Sequence, residues 1–113
     1  MKISQRQSGE VHVFELVGEL DFQTSPDLRS KLQPVTEKPS HKVVVNLKKV
    51  SYIDSSGLAT FVEALQKAKR SSGRLVLTEL APAVKSVFEI AKLDKVFLLT
   101  ATETEALQLA AQS

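Results

Sequence analysis

Val43-Val44-Val45-Asn46-Leu47, followed by Tyr52-Ile53-Asp54-Ser55-Ser56-Gly57-Leu58, is the stretch that decides the fold. The first run is β-branched and almost unbroken, as expected of a central strand covered on both faces. The second opens the longest helical pattern in the chain, from about residue 57 to residue 71. Leu58, Phe61, Val62, Leu65 and Ala68 form its apolar stripe, and Ser56, Thr60, Glu63 and Lys67 fall on the opposite face, which is expected to be wet. A strand that runs directly into a helix is half of a strand–helix–strand unit. Two hydroxyls and a glycine at the junction place an exposed Ser where the helix begins.

Upstream, Lys2 to Arg6 carries one apolar anchor, Ile3, and reads as an edge strand. Ser8-Gly9 is a turn signal, and Val11 to Val17 completes a β-hairpin. Residues 18–24 form a polar-rich loop. Ser25-Pro26-Asp27 starts a helix, with Ser as the cap, Pro in the first position and Asp at the positive end. Leu28, Leu32 and Val35 give that helix an apolar face, and Pro34 is expected to kink it or end it early. Downstream, Ser72-Gly73 stops the long helix and Leu75-Val76-Leu77 is a second buried strand. Pro82 starts a helix with Val84, Val87, Phe88 and Ala91 inward. Val96 to Leu99 is the last strand, and Glu103 to Ala111 a terminal helix with Ala106, Leu107 and Ala110 inward.

The order is ββαβαβαβα: an α/β chain, a mixed and mostly parallel sheet with an N-terminal hairpin and about four helices packed on it. In such sheets the functional loops lie beyond the carboxyl ends of the strands. Loops 18–24 and 48–56 qualify, and parallel pairing of strands 11–17 and 43–47 would open both on one edge, bringing Asp21 near Ser55.

The bulk numbers set limits on function. A chain of 113 residues is expected to form a single domain over residues 1–113. Fifteen Lys and Arg are interspersed with thirteen Asp and Glu, for a net charge of +2. Nucleic acid and anionic membrane are therefore poor candidates for partners. No run of eighteen apolar residues could span a membrane, the N-terminus lacks the apolar core of a signal peptide, and a cytoplasmic location is expected. With no cysteine, disulfides and thiolate metal sites are excluded.

Catalysis finds little support. A serine hydrolase needs a His within reach of an elbow-mounted Ser, and His12 and His41 read as ordinary, partly exposed residues in or beside strands. Two distant His supply no metal site, and there is no Gly-rich phosphate loop, so no cofactor is expected. Asp21 and Asp54 read first as turn residues. Asp54-Ser55-Ser56-Gly57 can be a plain helix start with a Ser cap and a flexible glycine. Against that, paired serines beside an Asp stand at the functional end of the sheet, and a helix N-terminus suits an attached phosphate.

At these residues the chain resembles the STAS domain of the anti-sigma factor antagonist family. Asp54-Ser55-Ser56-Gly57-Leu58 is similar to that family's phosphorylation motif and Gly18-Glu19-Leu20-Asp21 to its other signature. Ala81-Pro82-Ala83-Val84-Lys85 and Leu93-Asp94-Lys95-Val96-Phe97 resemble its C-terminal half, so the similarity spans roughly residues 3–110. The resemblance implies a binding module, not an enzyme. Its unphosphorylated form would bind an anti-sigma factor that is itself a serine kinase and so free a sigma factor. Ser55 would be the phosphorylated residue and a PP2C-type phosphatase would reset it. Asp21 matches a loop residue implicated in partner contact or phosphoryl transfer. With Asp54, Ser56, Gly57 and the helix face of Thr60, Glu63 and Lys67, it would form the partner surface. Ala59 stands where the family often has Gly. The same resemblance admits an accessory subunit of a lipid- or anion-transport assembly, or a stressosome-type scaffold subunit.

Overall fold

The computed structural model describes residues 1–112, and their elements follow the expected order. They are β1 (Lys2–Ser8), β2 (Val11–Leu20), α1 (Ser25–Thr36), β3 (Lys42–Ile53), α2 (Ser55–Arg70), β4 (Arg74–Thr78), α3 (Pro82–Ile90), β5 (Leu98–Thr100) and α4 (Glu103–Ala111). The strands lie side by side in chain order, with β1 antiparallel to β2 and every later pairing parallel. This is the mixed sheet with an N-terminal hairpin that the pattern predicts.

Residue alternation along β3 explains its unbroken apolar run. Val43 and Val45 point into the main core with Leu28, Leu32, Phe61, Val84 and Phe88 of α1, α2 and α3. Val44 points the other way, joining Val11, Val13, Val76, Ala106 and Ala110 under α4. Three helices therefore cover one face and α4 covers part of the other. Phe88 stacks edge-on against Phe97 at 5.5 Å, and Phe61 tilts against Phe88 at 6.4 Å.

One residue of the apolar run is polar for a reason. Asn46 turns toward α4 and donates to Glu103 Oε1 (3.1 Å) and Glu79 Oε2 (3.4 Å). Glu103 is gripped by Arg6 at 2.6 Å, and Glu79 accepts its backbone N–H at 3.0 Å. The hydrogen bond from Arg6 holds the Glu103 carboxyl below the usual glutamate range. These contacts fasten the first turn of α4 to the sheet.

Several boundaries differ from the sequence reading. Strands β2 and β3 run on through Leu20 and Ile53, so the expected loops shrink to residues 21–24 and to Asp54. Shifts of register near Glu15–Val17 and Gly18–Glu19 let Val50 and Ile53 point inward although Lys48-Lys49 and Ser51-Tyr52 break strict alternation. Thr24 precedes α1, and Ser25 lies inside it, buried, donating its hydroxyl to the Asp21 carbonyl (2.6 Å). Pro34 does not end α1 early: the helix runs two residues past it, to Thr36, at the loss of one i→i−4 hydrogen bond. After α2, Ser72 takes the left-handed conformation (φ 56°). Gly73 follows it because a Cβ there would stand 2.7 Å from the buried His41 ring. His41 is thus a core residue, not a partly exposed one. The last strand begins at Leu98, since the N–H groups of Val96 and Phe97 fold back onto the Leu93 carbonyl. Ala91 lies beyond α3 and is exposed.

Candidate functional site: the start of α2 and the loop after β2

Strand β4 accompanies β3 only as far as Asn46, opposite Thr78, whereas β2 stays with β3 to its end, Leu20 facing Ile53. The two strands leave the sheet together, and their following residues are Asp21 and Asp54. Each aspartate organises the backbone that comes next.

Asp21 closes its own turn. Its Oδ1 accepts from the N–H groups of Gln23 (2.9 Å) and Thr24 (3.1 Å), and the Thr24 hydroxyl donates to the Glu19 carbonyl (2.8 Å). Asp54 is the cap of α2. Its Oδ1 accepts from Ser56 N–H (2.9 Å) and Gly57 N–H (3.1 Å), and its Oδ2 reaches across to Phe22 N–H (3.2 Å). Asp54 N–H in turn donates to the Leu20 carbonyl at 3.1 Å. One carboxylate therefore starts the helix and ties the neighbouring loop to it. This corrects the expectation of a Ser cap. Asp caps as well as Ser does, and here its second oxygen has a second task.

The expected pairing of loops is present, but it runs through Asp54 and Phe22. Among the described residues no hydrogen bond joins Asp21 to Ser55. The amides that would welcome a phosphate are also not free, because Asp54 already occupies those of Ser56 and Gly57.

Ser55 is the first residue of α2 and is exposed, while Ser56 is half-buried. Among the described residues neither side-chain hydroxyl has a hydrogen-bond partner. Gly57 is buried beneath that turn and is not a flexible element. A Cβ there would come within 2.7 Å of Ile53 Cγ1 and 2.8 Å of Leu20 Cγ. Glycine lets the helix start sit directly on the ends of β2 and β3.

The face expected to be wet is not. Thr60 is 2% exposed and donates its hydroxyl to the Ser56 carbonyl at 3.0 Å. Glu63 and Lys67 are half-buried along the seam with α1, where Glu63 pairs with Arg29 (3.3 Å) and Lys67 (3.6 Å). Helix α1 packs on this flank of α2, beside Leu32 and Thr36. The solvent-facing stripe is instead Ser55, Ala59, Gln66 and Lys69, spaced at helical intervals.

Two residues of the site escaped the sequence reading. Phe22, held by Asp54, is 69% exposed, and Tyr52, two residues before Asp54, is 49% exposed. The available signal was one bulky apolar residue inside a polar turn, Asp21-Phe22-Gln23-Thr24. At the opposite edge of the sheet, a cleft of about 730 Å³ is lined by Lys38, His41, Lys42, Lys69 and Arg74. Lys38 follows the end of α1 and Lys69 lies in the last turn of α2, where their charges complement the helix dipoles.

Residues 2–106 match the STAS domain. The anti-sigma-B factor antagonist of Staphylococcus epidermidis is 36% identical over 89 residues, covering 78% of this chain and 82% of that protein. The anti-sigma-B factor antagonist of Listeria monocytogenes is 30% identical over 105 residues, covering 93% and 91%. In fold, the chain is similar to the Bacillus cell fate determinant SpoIIAA, solved in a phosphorylated form. The TM-score is 0.73 at 25% identity, over 95% of this chain and 97% of that one. Both expected motifs lie inside the matched span, so the chain belongs to the STAS-domain family of anti-sigma factor antagonists.

Proposed function

We propose that this chain is a phosphorylation-switched antagonist of an anti-sigma factor. Unphosphorylated, it binds an anti-sigma factor that is also a serine kinase and so releases a sigma factor in the cytoplasm. The kinase modifies Ser55, the complex comes apart, and a PP2C-type phosphatase restores the binding form. The chain binds and is modified; it carries out no chemistry of its own. The observation that carries this reading is the presentation of Ser55: an exposed, unengaged hydroxyl on the first residue of α2, next to the carboxylate that fixes the helix start. Half-buried Ser56 is the poorer acceptor.

The switch is electrostatic. A phosphate adds about −1.5 to −2 charges at neutral pH. On Ser55 it stands next to Asp54, whose carboxylate already holds the helix amides, so the dipole offsets only about 0.3–1 kcal/mol of the repulsion. That is tolerable in water and costly against a partner. Taking a complex from nearly all formed to nearly all dissociated requires about 5.5 kcal/mol of differential affinity. A dianion desolvated without adequate pairing supplies several kcal/mol of this.

Incubation with the kinase and ATP, followed by mass spectrometry, tests the assignment. Modification at Ser55 is expected; modification at Ser56, or at neither serine, refutes it. Ser55→Ala should keep partner affinity and Ser55→Asp should lose it at least tenfold. Equal affinities would rule out electrostatic exclusion.

A further inference from the structure

The chain has six aromatic side chains, five Phe and one Tyr. Phe14, Phe61, Phe88 and Phe97 are buried. The other two, Phe22 and Tyr52, are both exposed, and both stand at the carboxyl end of the β2–β3 pair beside Ser55. Neither exposure results from a mobile tail. Phe22 lies in a turn fixed by Asp21 and Thr24, with its own N–H held by Asp54. Tyr52 lies in β3, paired with Glu19 of β2. Holding a phenylalanine in water on a rigid turn forfeits burial energy, and nothing within the fold recovers it.

Acidic groups stand next to both rings in the chain and across the strand pair. Glu19 pairs with Tyr52 across the strands, Asp21 precedes Phe22 and Asp54 accepts its N–H, and among the described residues none of the three forms an ion pair, although the whole chain carries +2. Buried aromatic anchors within a polar rim are what protein interfaces use for most of their affinity. A complementary surface would offer an apolar recess for the rings, edged by Lys or Arg.

We propose that Phe22 and Tyr52 are the apolar anchors by which this chain seats on its anti-sigma kinase, in a recess with a cationic rim. This rests on the antagonist reading above and adds to it the residues that supply affinity. It also explains why a charge on Ser55 would be effective. The phosphate would appear one residue from Asp54, the carboxylate that holds the Phe22 N–H.

The experiment is isothermal titration of the full chain with each anti-sigma factor/serine kinase of its genome, with oxidative footprinting of the complex. Phe22→Ala and Tyr52→Ala should each weaken binding tenfold or more without lowering Tm. Ile90→Ala, 82% exposed on α3, should leave binding within twofold. The rings of Phe22 and Tyr52 should be protected from oxidation in the complex. If the wild-type chain binds and both variants bind within twofold of it, or the rings stay reactive, the anchors are refuted and the antagonist reading stands. If the wild-type chain binds no such kinase, the antagonist reading fails and the anchors fail with it.

Discussion

Replacing Gly57 with Ala tests the idea that Ser55 is positioned by close packing and not by a flexible joint. The added methyl would lie 2.7 Å from Ile53 Cγ1, 2.8 Å from Leu20 Cγ and 3.0 Å from Leu20 Cδ2. Both neighbours are fully buried, and two of the three atoms are branch points or mid-chain carbons, not free ends that can swing aside. Overpacking of this kind costs about 1–3 kcal/mol. Alanine returns about 0.5–1 kcal/mol of backbone entropy over glycine in a helix. The net expectation is a loss of about 0.5–2 kcal/mol, or a Tm lower by about 2–8 °C for a chain of this size. Thermal unfolding followed by circular dichroism measures it. An unchanged or raised Tm would show that Leu20 and Ile53 yield freely, and the argument for a packed helix start would fail.

Three other perturbations have definite expected outcomes. Asp54→Ala removes the cap and should cost about 1 kcal/mol or more in urea unfolding, whereas Asp54→Asn keeps an acceptor oxygen and should lose less. Thr60→Glu should destabilise by at least about 2 kcal/mol because the site is buried; on a solvent-facing flank the change would be within about 0.5 kcal/mol, so the urea midpoint separates the two placements. Glu103 has its pKa lowered in the folded state, first by the Arg6 hydrogen bond, so its contribution is fully present above the unfolded glutamate pKa of about 4.3 and is lost as pH falls through the lower folded value. Glu103→Gln should therefore be less stable than wild type at pH 7, with the gap closing as pH drops below about 4; a gap independent of pH would refute the ion pair's role.

Much of the architecture was legible because each element carries its own pattern. The doubly covered β3 announced itself in Val43-Val44-Val45, and the order of strands and helices left parallel pairing as the natural solution. The exposure of Ser55 was legible because a helix start is a local property. Failures came where two elements jointly decide a residue's surroundings. Thr60 sits on the polar side of α2 by periodicity, yet α1 packs there, and no pattern within α2 reports it. The ends of β2 and β3 looked like loops because shifts of register interrupt alternation, leaving Lys48-Lys49 adjacent on the surface. Gly57 read as flexible because composition cannot show that Leu20 and Ile53 converge beneath it. Asp54 was passed over as a cap for the serines beside it.

The division of the interior by the sheet has a thermodynamic consequence. On one side α1, α2 and α3 share the aromatic and leucine-rich core; on the other, α4 rests on valines through two small alanines and two half-buried leucines, with polar ties to Arg6 and Lys42. The lesser side can open while the greater stays closed, so amides of α4 should exchange with solvent well before those of β3. Ser55 begins α2, on the larger side. Any enzyme that modified it would therefore be expected to meet a folded surface, not a loosened chain.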